Sequence, residues 1–226
     1  MITLAIELST ESGSLALLEN NGVRLERTWR EDRSQRQQVF AEIEAAMAEG
    51  GMDPAQVELF AVGVGPGAFS GLRMAVSAVR AMAMPDGRPV YAVSSAAALA
   101  WEIMLETGGT QVVVAGDARR GEWWLGRFQR GNEGPRQEGG WAVAGEAQHR
   151  GLAVEPGTVW VTPDWDRIGE GIKSVCPAGA SWVCERRVPK ARYVGLVAAA
   201  RFRDGVASEE LAPIYLHPAV GVPPVI

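Results

Sequence analysis

Gly65-Pro66-Gly67-Ala68-Phe69-Ser70-Gly71-Leu72-Arg73 joins an apolar run, Leu59-Phe60-Ala61-Val62-Gly63-Val64, to a stretch from Leu72 to Met84 that lacks Gly and Pro. The first run reads as a short buried strand and the second as a helix. Gly65, Gly67 and Gly71 permit positive φ or close backbone approach, and Ser70 is placed to cap the helix. Backbone N–H groups at such a helix start attract an anion or a carboxylate; a tight strand-to-helix turn without any ligand has the same signature. The glycine spacing is not that of a dinucleotide-binding loop, and the lysine of a P-loop is missing.

Around this loop the elements recur in order. Thr3 to Leu8, Ser14 to Leu18 and Val23 to Trp29 read as three strands, with Asn20-Asn21-Gly22 as the second hairpin turn. Ser34 opens a helix with a Ser-x-x-Gln pattern to Gln37; Val39, Phe40, Ile43, Ala46 and Met47 form its apolar stripe, and Gly50-Gly51 ends it. A strand at Pro89 to Val93 and a helix capped by Ser94 or Ser95, running to about Leu105, complete a first lobe over 1–106. A second lobe, 107–226, starts in the same style, with strands at Gln111 to Ala115, Glu122 to Gln129 and Gln137 to Val143. A helix near Gly145 to Gly151, a strand at Thr158 to Thr162, an irregular loop from Asp164 to Ala180 and a helix at Tyr193 to Phe202, able to return to the first lobe, follow. Trp123 and Trp124, adjacent in a strand, should face opposite sides of a sheet, one of them toward the other lobe or a partner. The chain is thus α/β, each lobe beginning with a three-stranded antiparallel segment in a mixed sheet.

Composition narrows the function classes. With 226 residues, 47% of them hydrophobic, a sizeable core can form. No apolar run approaches the ~20 residues of a membrane span, and Met1-Ile2-Thr3 leads straight into a strand, so the expected location is the cytoplasm. Cys176 and Cys184 are too few for a disulfide framework, and His149 and His217 lie too far apart in sequence to suggest a metal site. Net charge is −5; all 22 basic residues except Lys173 and Lys190 are arginines. Their one run, Arg24, Arg27, Arg30, Arg33 and Arg36, alternates with Glu26, Glu31 and Asp32 and reads as a salt-bridged surface. No concentrated basic stripe for nucleic acid exists, so little direct affinity for nucleic acid is expected.

The loop, written GPGAFSGLRM, resembles the GPGSFTGLRI signature of the TsaB family, in the residues Gly65, Pro66, Gly67, Phe69, Ser70, Gly71 and Arg73. Leu4-Ala5-Ile6-Glu7-Leu8-Ser9-Thr10, Asp117-Ala118-Arg119-Arg120-Gly121-Glu122 and Pro213-Ile214-Tyr215-Leu216 lie in the order that family shows, so the resemblance covers most of the chain. It implies a two-lobed actin-like fold (ASKHA, RNase H-like), as in sugar kinases and Hsp70-type ATPases, which the recurring three-strand openings match. It also implies a non-catalytic scaffold subunit in the formation of N6-threonylcarbamoyladenosine in tRNA, binding and activating the catalytic TsaD, with the small ATPase TsaE as a further partner and a homodimer when alone.

In actin-like folds a carboxylate ending the first strand and a small hydroxyl-rich turn hold nucleotide phosphates. Glu7, Ser9 and Thr10 occupy those places, with Asp117 as the matching carboxylate of the second lobe. Glu7 stands where the family's start has Asp, and its longer arm would crowd a phosphate-bound magnesium, which argues against an efficient ATPase. Asp117 reads either as a magnesium ligand or as a turn residue that satisfies local N–H groups. No cofactor is therefore expected, weak binding of ATP or ADP with magnesium being the alternative. The resemblance implies that TsaD uses two histidines four apart on a helix as metal ligands; here the corresponding helix carries Gln35, Arg36, Gln37 and Gln38, and no metal site is expected. Nor can a nucleophile with its base be assembled, so activity of the chain alone is not expected and a glycoprotease label is weakened.

A partner surface is expected on the two helices. From Leu72 to Met84 apolar residues run almost all the way round, as in a helix buried on two sides, either under the helix from Ser34 or against another protein. The expected contact comprises Gln37, Val39, Phe40, Ile43, Met47, Met74, Ala78, Val79 and Met82, and Val79→Glu should abolish pairing while leaving the lobe folded. An ATP-dependent small-molecule kinase of the same fold, or an interaction module unrelated to tRNA, are the other readings.

Overall fold

The computed structural model describes residues 1–30, 38–145, 148, 155–175, 177 and 179–216. Two five-stranded sheets carry the chain. In the first, β1 (Ile2–Glu7), β2 (Ser12–Glu19) and β3 (Gly22–Arg30) form an antiparallel meander, and β4 (Leu59–Gly63) and β5 (Val90–Val93) add parallel to β1, in the order β3-β2-β1-β4-β5. The second repeats this pattern: β6 (Gln111–Arg119), β7 (Glu122–Gly131) and β8 (Gly134–Gly145) are antiparallel, and β9 (Val159–Val161) and β10 (Ser181–Trp182) run parallel to β6. The expected α/β architecture with a three-stranded opening in each lobe is therefore present, and the second sheet is as complete as the first.

The helices are α1 (Gln38–Gly50), α2 (Phe69–Ala83), α3 (Ser95–Thr107), α4 (Trp165–Val175) and α5 (Ala191–Arg203). Strand alternation assigns them to layers. Leu4, Ile6, Leu15, Leu17, Phe60 and Val62 face α1 and α2 on the outer side of the first sheet. Ala5, Ala16, Leu18, Leu59 and Ala61 face inward and share one core with α3, α5 and the inner face of the second sheet. On the far side, Val113, Trp123, Leu125 and Trp160 pack against Ile168, Ile172 and Val175 of α4. Trp123 and Trp124 do point to opposite faces, and both are buried within the chain, Trp124 edge-on to Trp141.

The inner helices cross over. α3, which follows the first sheet in sequence, packs on β6, β7, β8 and β9, whereas α5, which follows the second sheet, packs on β1, β2 and β4. Small residues make the second contact close: a Cβ at Gly195 of α5 would overlap Leu18 Cδ1 and stand 3.1 Å from the Ala5 Cβ. The first N–H of α5, from Ala191, donates to Ser14 Oγ at 2.9 Å, so a β2 hydroxyl caps a helix far along the chain. The boundary at 106/107 thus separates the sheets but not their cores.

Several expectations are corrected. α2 begins at Phe69, with Ala68 as N-cap and no side-chain cap, so Ser70 lies inside the helix and is exposed. The start is set by backbone instead: Ala68 N–H donates to Ser9 O at 2.7 Å, and Leu72 N–H to Ala68 O at 3.0 Å. α2 is not apolar all round either, because Ser70, Arg73, Ser77 and Arg80 make one exposed polar stripe, whereas Ala75, Val76, Val79 and Ala83 are buried. The segment read as a loop contains α4; Gly169 disguised it, and is required there because the Trp165 ring lies 2.7 Å from where its Cβ would be. The expected helix near Gly145 to Gly151 and the Ser34 cap fall mainly outside the described residues. No helix among those described is long and apolar enough to cross a membrane.

Candidate functional site

The two lobes enclose a cleft of about 1290 Å³. One wall is the β1–β2 turn (Ser9, Thr10, Glu11) and the glycine loop with the start of α2; the other is the end of β6 (Asp117, Ala118, Arg119) and the entry to α4 (Asp164, Asp166, Arg167). The loop sits tightly on the end of β1, since Cβ atoms at Gly67 and Gly71 would overlap the carbonyl oxygens of Ser9 and Leu8. Gly65, at φ +95°, gives its N–H to Ser95 Oγ at 2.9 Å and accepts from Ser95 N at 2.8 Å and Ser94 Oγ at 3.2 Å. At the mouth, Phe69 stacks on Tyr215 with ring centroids 5.2 Å apart, and Arg73 lies over Phe69.

The side chains in and beside this cleft do not fit a magnesium polyphosphate. Glu7 does not line it: the carboxyl is 1% exposed, Oε1 accepts the Ser9 N–H at 2.6 Å, and Oε2 lies over Gly63 with no hydrogen-bond partner. Burial pushes this carboxyl above the ordinary carboxylate range, the nearby Ser9 and Ser95 groups opposing only in part. Its length is accommodated over Gly63, which has no side chain of its own. Ser9 and Thr10 do line the cleft, but Thr10 Oγ1 is tied to Ser12, accepting its N–H at 3.1 Å. Asp117 accepts the Arg119 N–H at 2.7 Å and pairs with Arg119 and Arg167 at 3.1 and 3.2 Å, the turn arrangement with its charge already balanced. Three arginines of the lining (Arg119, Arg167, Arg186) face four carboxylates (Glu11, Asp117, Asp164, Asp166), a poor balance for a polyanion. Among the described residues no three His, Cys, Asp or Glu side chains are grouped to hold a metal.

Sequence reasoning missed an ion pair that spans the cleft. Glu11 reaches from the first lobe to Arg186 of the second at 3.0 Å, a pairing that no local spacing encodes.

On the outer helices the expected contact residues divide. Val39 and Val79 are fully buried, and Ile43, Met47 and Ala78 nearly so, all within the chain itself; Met74 and Met82 are half-buried, and Phe40 is 50% exposed. Gln37 lies outside the described residues. Val79→Glu would therefore charge the lobe's own core, not test a surface.

A family model described as "TsaD: tRNA N6-adenosine threonylcarbamoyltransferase" matches residues 31–159. The chain is 28% identical to the tRNA threonylcarbamoyladenosine biosynthesis protein TsaB of Escherichia coli, over 96% of this chain and 95% of the relative. Among solved structures, YeaZ from Pseudomonas aeruginosa superposes with a TM-score of 0.80 at 28% identity, covering 95% of this chain and 99% of the other. At the level of fold alone, the activator of 2-hydroxyisocaproyl-CoA dehydratase from Clostridium difficile matches with a TM-score of 0.50 at 9% identity, over 93% of this chain and all of that one.

Proposed function

The chain belongs to the family that the TsaD model describes and stands within it among the TsaB proteins, and from this premise we propose that it is a partner subunit in tRNA threonylcarbamoyladenosine biosynthesis with no catalysis of its own. It binds a TsaD-like subunit and enables that subunit to transfer threonylcarbamoyl to tRNA; a TsaE-like ATPase joins the assembly, and tRNA is met only within it, in the cytoplasm. The observation that supports this reading is the fold, which matches a TsaB-type structure almost end to end. The sequence has only two histidines, His149 and His217, far apart along the chain, and the β1 carboxyl of Glu7 is turned into the core. The outer side of the first sheet offers apolar surface suited to a partner helix, with Phe40 and Met84 exposed and Met74 and Met82 half-buried. Alone, the chain pairs with a second copy through the same surface.

Light scattering of the purified chain, alone and mixed with the TsaD-type subunit of the same source, tests this. The expected result is a homodimer that exchanges into a mixed complex; a monomer indifferent to that subunit refutes it. The kinase reading has the cleft in its favour, and it predicts heat of binding on titration with ATP and Mg²⁺, where the scaffold reading predicts none.

A further inference from the structure

Glu7, which the actin-like resemblance would set beside a nucleotide, is turned away from the cleft, and its surroundings assign it different work. We propose that Glu7 is the positioning residue of helix α2, bracing the end of β1 between strand β4 and the turn on which α2 begins; the role rests on reading α2 as part of the docking surface.

The contacts form a continuous path. On one side, Oε1 accepts the Ser9 N–H at 2.6 Å, and the Ser9 carbonyl accepts the N–H of Ala68, the N-cap of α2, at 2.7 Å. The next carbonyl back, that of Leu8, is pressed so closely to Gly71 that a Cβ there would overlap it. Two successive carbonyls of the β1 end therefore seat the first turn of α2, and the Glu7 carboxyl fixes the turn that presents them. On the other side, Oε2 fills the space a side chain at Gly63 would need, next to Ser95, whose hydroxyl accepts the Gly65 N–H at 2.9 Å. Glu7 and Gly63 are thus matched in size, the extra methylene of a glutamate being lodged over a residue that has no Cβ. An aspartate would fall short of Gly63 and release the brace.

The size match is tested by thermal melts of four chains. Gly63→Ala should melt below wild type because its methyl meets Oε2, and adding Glu7→Asp should raise the midpoint of that variant again. A double variant that melts no higher than Gly63→Ala overturns the proposal. The positioning role is tested by pairing, with itself and with the TsaD-type subunit, at a temperature well below every midpoint. Glu7→Asp should weaken pairing about tenfold, while Glu7→Gln, of equal length, pairs as wild type. If wild type pairs and Glu7→Asp pairs equally well, the positioning role falls and the proposed function stands. If wild type pairs with neither, both fall.

Discussion

Phe40 separates the proposed docking surface from the core beneath it. It lies on α1 beside buried Val39 and Ile43, with half of its own surface exposed. Full burial of such a side chain is worth roughly 1.5–3 kcal/mol, so covering the exposed half contributes about 1 kcal/mol per copy. In a twofold contact both copies are covered. Phe40→Ala should then cost the homodimer about 2 kcal/mol, close to a thirtyfold rise in dissociation constant. The same substitution removes the buried half from the monomer, a further loss of about 1 kcal/mol that leaves it folded at room temperature. Sedimentation equilibrium over a dilution series reads the association, and circular dichroism confirms the fold. A dissociation constant within twofold of wild type would refute the argument that this face is the contact.

Two other substitutions probe the interior. Glu7 binds a proton more tightly in the folded chain than in the unfolded one because it is buried; between the two values the native state holds more protons, so the contribution of Glu7 to stability is greatest below the ordinary carboxylate range and is lost as pH rises through the folded value. Glu7→Gln removes that slope, and thermal midpoints measured from pH 5 to 9 should be flatter than those of wild type; parallel curves would contradict it. Ser14→Ala strands the buried N–H of Ala191 at the start of α5 and should cost about 1–2 kcal/mol, a fall in Tm of roughly 2–8 °C; an unchanged midpoint would mean that the hydroxyl is not the cap.

What could be read ahead of the structure was whatever is local and periodic. The two hairpin-led openings, the strand before Gly65 and the opposed faces of Trp123 and Trp124 depend on neighbours within a few residues, and all are present. α4 escaped because Gly169 and Gly171 look like loop residues until the Trp165 ring is seen lying on the first of them. The amphipathic nature of α2 is hidden in the sequence because Ala and Met count as apolar on either face, and they outnumber the polar stripe of Ser70, Arg73, Ser77 and Arg80. At the cleft, the glycine loop was legible, but the direction of the Glu7 side chain depends on a missing Cβ on another strand, and the Glu11 to Arg186 ion pair joins residues from different lobes.

The exchange of inner helices bears on how the molecule comes into being. As the chain leaves the ribosome, the first sheet emerges complete, yet Ala5, Ala16 and Leu18 wait for α5 (Ala191–Arg203), which follows the whole second sheet. α3 meanwhile has its partners β6 to β9 still to come. The inner core shared by the two halves can therefore close only once α5 has been made, and until then the inner face of the first sheet is an apolar surface of the kind that chaperones bind. A fragment ending at Thr107 would keep that face uncovered for good.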